Sequence, residues 1–140
     1  MNILFIEDNC EISELKKEHF PGCQVTVAYT LFSARFCLEK DPGADAFDAI
    51  IFDVNMPFED LPQDLQDMLT EDEKELPGYV FYEKILKVKY PKLYKNTIFY
   101  TGFVKRLKEK VGEDRFKTLR IVSKDNNRTS KDISEYLRKM

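Results

Sequence analysis

Acidic, hydroxyl and basic side chains recur in this chain where apolar runs end. Asn2-Ile-Leu-Phe-Ile6 stops at Glu7-Asp8, Phe47-Asp-Ala-Ile-Ile-Phe-Asp53 stops at Asp53, Thr97-Ile-Phe-Tyr-Thr101 closes on Thr101, and Arg120-Ile-Val-Ser123 is followed directly by Lys124. Three carboxylates brought to one edge repel one another unless a cation sits among them. A small hard cation, magnesium first, prefers carboxylate, carbonyl and water oxygens. With a metal ion and an ammonium group nearby, one carboxylate can attack a phosphorus atom, because the cations neutralise charge on the three equatorial oxygens. Thr101 would then offer its hydroxyl to one of those oxygens. Each residue also has a plainer reading: Glu7 and Asp8 as acids at the start of a helix, Thr101 as a strand-end hydroxyl, Lys124 as a solvated charge. It is their joint placement that points to chemistry.

The elements that must position these groups follow from the same pattern. A continuous apolar run that ends abruptly suits a strand buried on both faces of a parallel sheet. Strands are therefore predicted over residues 2–6, 24–28, 47–53, 97–101 and 120–123. Between them, Ile12 and Leu15 mark a first helix closed by Pro21-Gly22, with His19 near its end. Leu31 to Glu39, capped by Thr30, puts Leu31, Ala34 and Leu38 on one face. Residues 78–90 carry Phe81, Ile85 and Val88 at helical spacing, and residues 104–111 carry Val104, Leu107 and Val111 before Gly112. A last helix is predicted from a Ser130 cap, with Ile133, Tyr136, Leu137 and Met140 on its stripe. Five strands alternating with five helices imply right-handed crossovers and a doubly wound α/β fold, whose ligands meet the carboxyl ends of the strands.

The 140 residues (16.5 kDa) suit a single domain over 1–140, and 43% hydrophobic with 34% charged residues supplies both a core and a soluble surface. A net charge of -3 and pI near 5.3 argue against electrostatic capture of nucleic acid. No run reads as a signal peptide or a membrane span, so a cytoplasmic location and no membrane partner are expected. Cys10, Cys23 and Cys37 lack Cys-x-x-Cys spacing and read as small, partly buried residues in a reducing compartment.

Four segments in this order, Ile6-Glu7-Asp8-Asn9, Asp53-Val-Asn-Met-Pro57, Thr101-Gly102 and Lys124, make the chain resemble the response-regulator receiver domains of two-component signalling, of the single-domain chemotaxis type. The resemblance covers nearly the whole chain. It implies a flavodoxin-like sheet of strand order 2-1-3-4-5 and a phosphoacceptor role for Asp53. It also implies a magnesium ion held by Asp8, Asp53 and the Asn55 carbonyl, with Glu7 acting through water, and a phosphoryl-binding pair in Thr101 and Lys124. The implied donor is a histidine kinase or histidine phosphotransfer protein, and the implied output is a conformational change read by a separate protein target. The only reactions expected of the chain are its own magnesium-dependent phosphorylation and dephosphorylation.

Three departures from that pattern stand out. Twenty residues separate Pro57 from Gly78, where receivers usually need only a few, so residues 58–76 form an insertion beside the site. It is rich in acids (Glu59, Asp60, Asp64, Asp67, Glu71, Asp72, Glu73, Glu75), and its Leu61, Leu65, Met68 and Leu69 are spaced for one apolar side of a helix. Both a solvated excursion and a lid that selects which donor reaches Asp53 fit this composition. Ile121 stands where receivers commonly carry an aromatic residue, and Asp125 replaces the proline that follows the lysine. Phe103, two residues after Thr101, is placed to shade a phosphoryl group from water. Two other classes compete: a receiver-like interaction module that does not use phosphorylation, and an aspartyl-phosphate hydrolase. The latter usually has a second aspartate two residues after the nucleophile, where this chain has Asn55.

Overall fold

Strands that are apolar on both sides are satisfied only between two covering layers, and the computed structural model of the chain has that arrangement. The structure describes residues 1–8, 20, 22–41, 43–57, 61, 63–124 and 128–140. Among them, β1 (Asn2–Ile6), β2 (Gln24–Ala28), β3 (Ala49–Phe52), β4 (Thr97–Thr101) and β5 (Ile121–Ser123) form one parallel sheet in the order β2-β1-β3-β4-β5. This is the doubly wound, flavodoxin-like order that the resemblance implied. The third strand is shorter than the predicted span of 47–53: residues 47 and 48 follow a 3-10 turn over 44–46 and precede the ladder, yet Phe47 is still buried.

Alternate strand residues point to opposite faces, and two apolar clusters result. On one face Leu4, Ile6, Ile50, Phe52 and Phe99 pack against α1 (Leu31–Glu39) through Leu31, Ala34 and Leu38. The same face receives Phe81, Tyr82, Ile85 and Leu86 of a continuous helical rod, α3, built from Pro77–Phe81, a π turn over Tyr82–Leu86, and Lys87–Lys89, and Leu93 of α4 (Pro91–Lys95). On the other face Ile3, Phe5, Ile51, Ile98 and Tyr100 meet Phe20 and, from the last helix, Ile133 and Leu137. The predicted first helix, with Ile12, Leu15, Cys10 and His19, lies outside the described residues.

Helix boundaries followed local chemistry where it was unambiguous. Thr30 caps α1 by accepting a hydrogen bond from the Ser33 N–H at 2.9 Å, and residues 104–111 form a helix ended by Gly112 at φ 87°. Two expectations fail. Val88 is 72% exposed while Leu86 is buried, because the π turn inserts an extra residue and rotates the later positions off the expected stripe. The last helix begins at Thr129 rather than after a Ser130 cap. The Thr129 hydroxyl donates to the Ser123 carbonyl at 3.2 Å and ties the helix start to β5.

The inserted segment is neither a solvated excursion nor one amphipathic helix. After Leu61 it makes one helical turn, α2 (Gln63–Gln66), and later a 3-10 turn over Glu73–Glu75. Leu61, Leu65 and Leu76 are buried in the cluster formed with α1 and α3, whereas Met68 is 66% exposed, against the prediction of a shared apolar side. The break comes from Thr70 and Glu73. The Thr70 N–H donates to Glu73 Oε1 at 3.1 Å and the Glu73 N–H to Thr70 Oγ1 at 3.3 Å, a reciprocal cap that starts a new turn there. Leu65→Ala should therefore lower unfolding stability in urea by about 2–5 kcal/mol. Met68→Ala should stay within about 0.5 kcal/mol. Equal effects would mean that the segment is not anchored as described.

Candidate functional site at the carboxyl edge of the sheet

Register decides which side chains meet. Ile6 of β1 pairs with Phe52 of β3, so the residues that follow, Glu7 and Asp53, leave adjacent strand tips side by side. Both are fixed by extensions of the ladder: the Glu7 N–H donates to the Ala28 carbonyl at 3.0 Å and the Asp53 N–H to the Ile6 carbonyl at 3.3 Å. Thr101 pairs with Ser123, and the Lys124 N–H donates to the Thr101 carbonyl at 3.0 Å, which anchors the lysine at the tip of β5.

From there the lysine must cross β4 to reach the acids, a span of two strand spacings or about 10 Å. Its ammonium arrives over Tyr100, whose ring centroid lies 5.3 Å from Nζ. The ammonium ends between the two carboxylates, 2.6 Å from Glu7 Oε2 and 2.8 Å from Asp53 Oδ2. The other Asp53 oxygen, Oδ1, accepts the Asn55 N–H at 3.0 Å. Burial alone would push the Lys124 ammonium down, but its bonds to Asp53 and Glu7 together outweigh that and hold it above the ordinary lysine value. Glu7 is 1% exposed; burial first, then a hydrogen bond with the Asp8 carboxyl, push its own carboxyl up to about 7 despite Lys124.

Of the sequence-predicted residues, Glu7, Asp53 and Lys124 are in direct contact, and the Asn55 backbone is bonded to Asp53. Asp8 is exposed next to Glu7, and Thr101 is buried with its hydroxyl oxygen accepting the Phe103 N–H at 3.0 Å. Phe103 is 42% exposed at the start of the helix over residues 104–111. Ile121 is half-buried, and Asp125 lies outside the described residues. Tyr100 was not singled out from sequence, although its place directly before Thr101 in an edge-adjacent strand was the available signal.

Gly78 was read only as a helix start, yet its role is steric. Its N–H donates to the Val54 carbonyl at 2.9 Å, and a Cβ there would stand 2.3 Å from the Asp53 carbonyl oxygen and 2.7 Å from the Val54 Cα. Only glycine lets α3 come this close to the loop that carries Asp53.

The donor set offered by Glu7, Asp8, Asp53 and the Asn55 carbonyl is all oxygen, the chemistry a hard divalent cation takes. Among the described residues no three acids, histidines or cysteines are gathered as a ready-made metal cluster, and the Lys124 ammonium is the cation between Glu7 and Asp53. The residues therefore fit such an ion in type, with Asp8 as the ligand still facing solvent.

No protein-family model and no curated protein matches the chain. Solved structures do. The bacteriophytochrome response regulator AtBRR superposes with a TM-score of 0.64 at 16% identity, covering 98% of this chain and 89% of that one. A response regulator receiver domain protein from Clostridium thermocellum gives 0.57 at 19% identity, covering 99% and 94%. The signal receiver domain of a DNA binding response regulator from Colwellia psychrerythraea 34H gives 0.58 at 19%, covering 100% and 99%.

The fold is that of a response-regulator receiver domain. At these identities the likeness is one of architecture, and in that architecture the receiver fold of this chain carries its acids at the tips of β1 and β3. Among the described residues no helix is long and apolar enough to cross a membrane.

Two measurements follow from the geometry. Because Glu7 in the folded protein binds its proton more tightly than an ordinary glutamate at 4.5, its contribution to stability is complete below that pH and is lost as pH rises through about 7. Thermal melts in chelator should thus show a decline over this window that Glu7→Gln flattens. Gly78→Ala should cost about 1–3 kcal/mol in urea unfolding through the forced displacement of the Asp53 loop, and should slow any reaction of Asp53 as well.

Proposed function

We propose that the protein is a phosphoacceptor signalling receiver in which Asp53 takes a phosphoryl group from a phosphohistidine donor, on a histidine kinase or phosphotransfer protein, or from a small acyl phosphate. The supporting observation is the Asp53 carboxylate itself: it stands at the tip of β3 with one oxygen on the Asn55 N–H and the other on Lys124. A carboxylate so held is oriented for in-line attack on phosphorus. An oxygen of Asp53 forms the new P–O bond as the P–N bond to the donor imidazole, or the P–O bond to the acyl group, breaks, and the leaving group departs with the bonding electrons.

A magnesium ion, when bound by Asp8, Asp53, the Asn55 carbonyl and, through water, Glu7, would supply positive charge to the phosphoryl oxygens. Lys124 lies on Asp53 Oδ2 and Glu7 Oε2, and its flexible stem would let the ammonium follow the incoming phosphoryl oxygens, exchanging one anionic partner for another. Thr101, held at the tip of the neighbouring strand, offers its hydroxyl to a second oxygen. The chain would then act on a separate protein target by shifting between two arrangements of the surface beyond Thr101.

Ile121, in place of the aromatic residue common in receivers, favours a second reading in which the domain binds a partner without being phosphorylated. One experiment separates them. Intact mass after incubation with an acyl phosphate and magnesium should rise by one phosphoryl group in the wild type and not in Asp53→Ala. An unchanged wild-type mass would sink the phosphoacceptor reading and leave the interaction module.

A further inference from the structure

Helix α5 (Val104–Val111), which begins just after Thr101, is held to the rest of the protein by little apolar contact. Leu107 is its one fully buried residue, with Val111 partly covered. Between α5, α3 and the inserted segment runs an open groove of about 480 Å³, lined by Leu76, Tyr79, Val80 and Val111, so packing does not close this side. Charges do. Arg106 meets Glu75 at 2.9 Å, and Lys110 meets Glu75 at 3.0 Å and Asp72 at 3.4 Å. The same segment is pinned to α1 by Arg35 on Asp64 at 3.0 Å and to α3 by Lys84 on Glu73 at 3.6 Å. Residues 63–76 therefore reach α1, α3 and α5 as a strap across one face. The strap rejoins the loop carrying Asp53 where Gly78 bonds to Val54.

We propose that this strap clamps α5 through Asp72 and Glu75, and that a change at Asp53 reaches α5 by loosening the clamp. The second half rests on the phosphoacceptor reading. The acceptor loop and the clamp belong to one continuous stretch of chain, so displacement at one end is delivered to the other without an aromatic residue at position 121. A helix with one buried anchor and several surface ion pairs is also the element of this face most easily released, because such pairs are individually weak and screened by salt.

Amide hydrogen exchange resolved to single helices tests both halves, with β3 and β4 as internal references and phosphorylation scored separately by intact mass. In the unphosphorylated protein, Glu75→Gln should speed exchange in α5 several-fold and leave β3 and β4 unchanged, and added salt should do the same to the wild type. The four-site charge swap Asp72→Lys, Glu75→Lys, Arg106→Glu, Lys110→Glu should restore slow exchange. An α5 rate unmoved by Glu75→Gln, or one that rises together with the strands, overturns the clamp. In wild-type protein whose mass shows one added phosphoryl group, α5 should exchange nearly as fast as in Glu75→Gln. If the mass rises and α5 does not change, the link is wrong while the phosphoacceptor reading stands. If the mass does not rise, that reading fails and the link fails with it, and the clamp stands or falls on the unphosphorylated comparison.

Discussion

Two neighbouring parallel strands that both end in an acid put their carboxylates about one strand spacing apart, roughly 5 Å, and the backbone has no means of separating them. Glu7 and Asp53 are in that position because Ile6 and Phe52 are in register. Two buried carboxylates repel each other, and burial pushes the Glu7 carboxyl up to about 7. The sheet tolerates them because Lys124 arrives from two strands away and places one ammonium on both. Much of the surrounding structure follows from that contact: β5 must sit beyond β4 so that the lysine spans the edge, Tyr100 must lie beneath its ammonium, and the Thr101 carbonyl must fix its backbone.

The same contact sets what the site can do. A carboxylate paired with a lysine ammonium has its counter-charge on a flexible stem, whereas one paired with an arginine is held by a planar fork that gives up its partner less readily. Asn55 contributes a bond that need not move, since it comes from the backbone two residues away. One Asp53 oxygen is thus oriented by the backbone, and the other by a side chain.

Legibility from sequence varied with how many physical causes agreed. β1 and β3 were readable because apolar runs ended at acids, and β1, β2 and β4 match the predicted spans residue for residue. The convergence of Glu7, Asp53 and Lys124 was readable for the same reason, since strand tips on one edge must meet. Close approach and register shifts were not. Nothing in the spacing of Phe81, Ile85 and Val88 announces a π turn, and the inserted segment offered a helical leucine spacing that competed with the Thr70–Glu73 cap. The cap prevailed because it satisfies backbone groups at once, while Met68 had no buried surface to gain.

An excursion of this length between a strand and a helix is uncommon in a small domain unless it does something or stays unstructured. Here it is built in: Leu61, Leu65 and Leu76 are buried against α1 and α3, which offsets the entropy of ordering the chain, and its acids face basic side chains on α1, α3 and α5. The acidic composition that looked like a solvated loop is therefore complementary to Arg35, Lys84, Arg106 and Lys110. In receivers the segment between the third strand and the next helix is usually only a few residues long, too short to reach the helices beyond. In this chain the longer connection touches α1, α3 and α5 on its way, and the part of the sequence that departs most from the pattern is also the part that joins the loop carrying Asp53 to the surface beyond it.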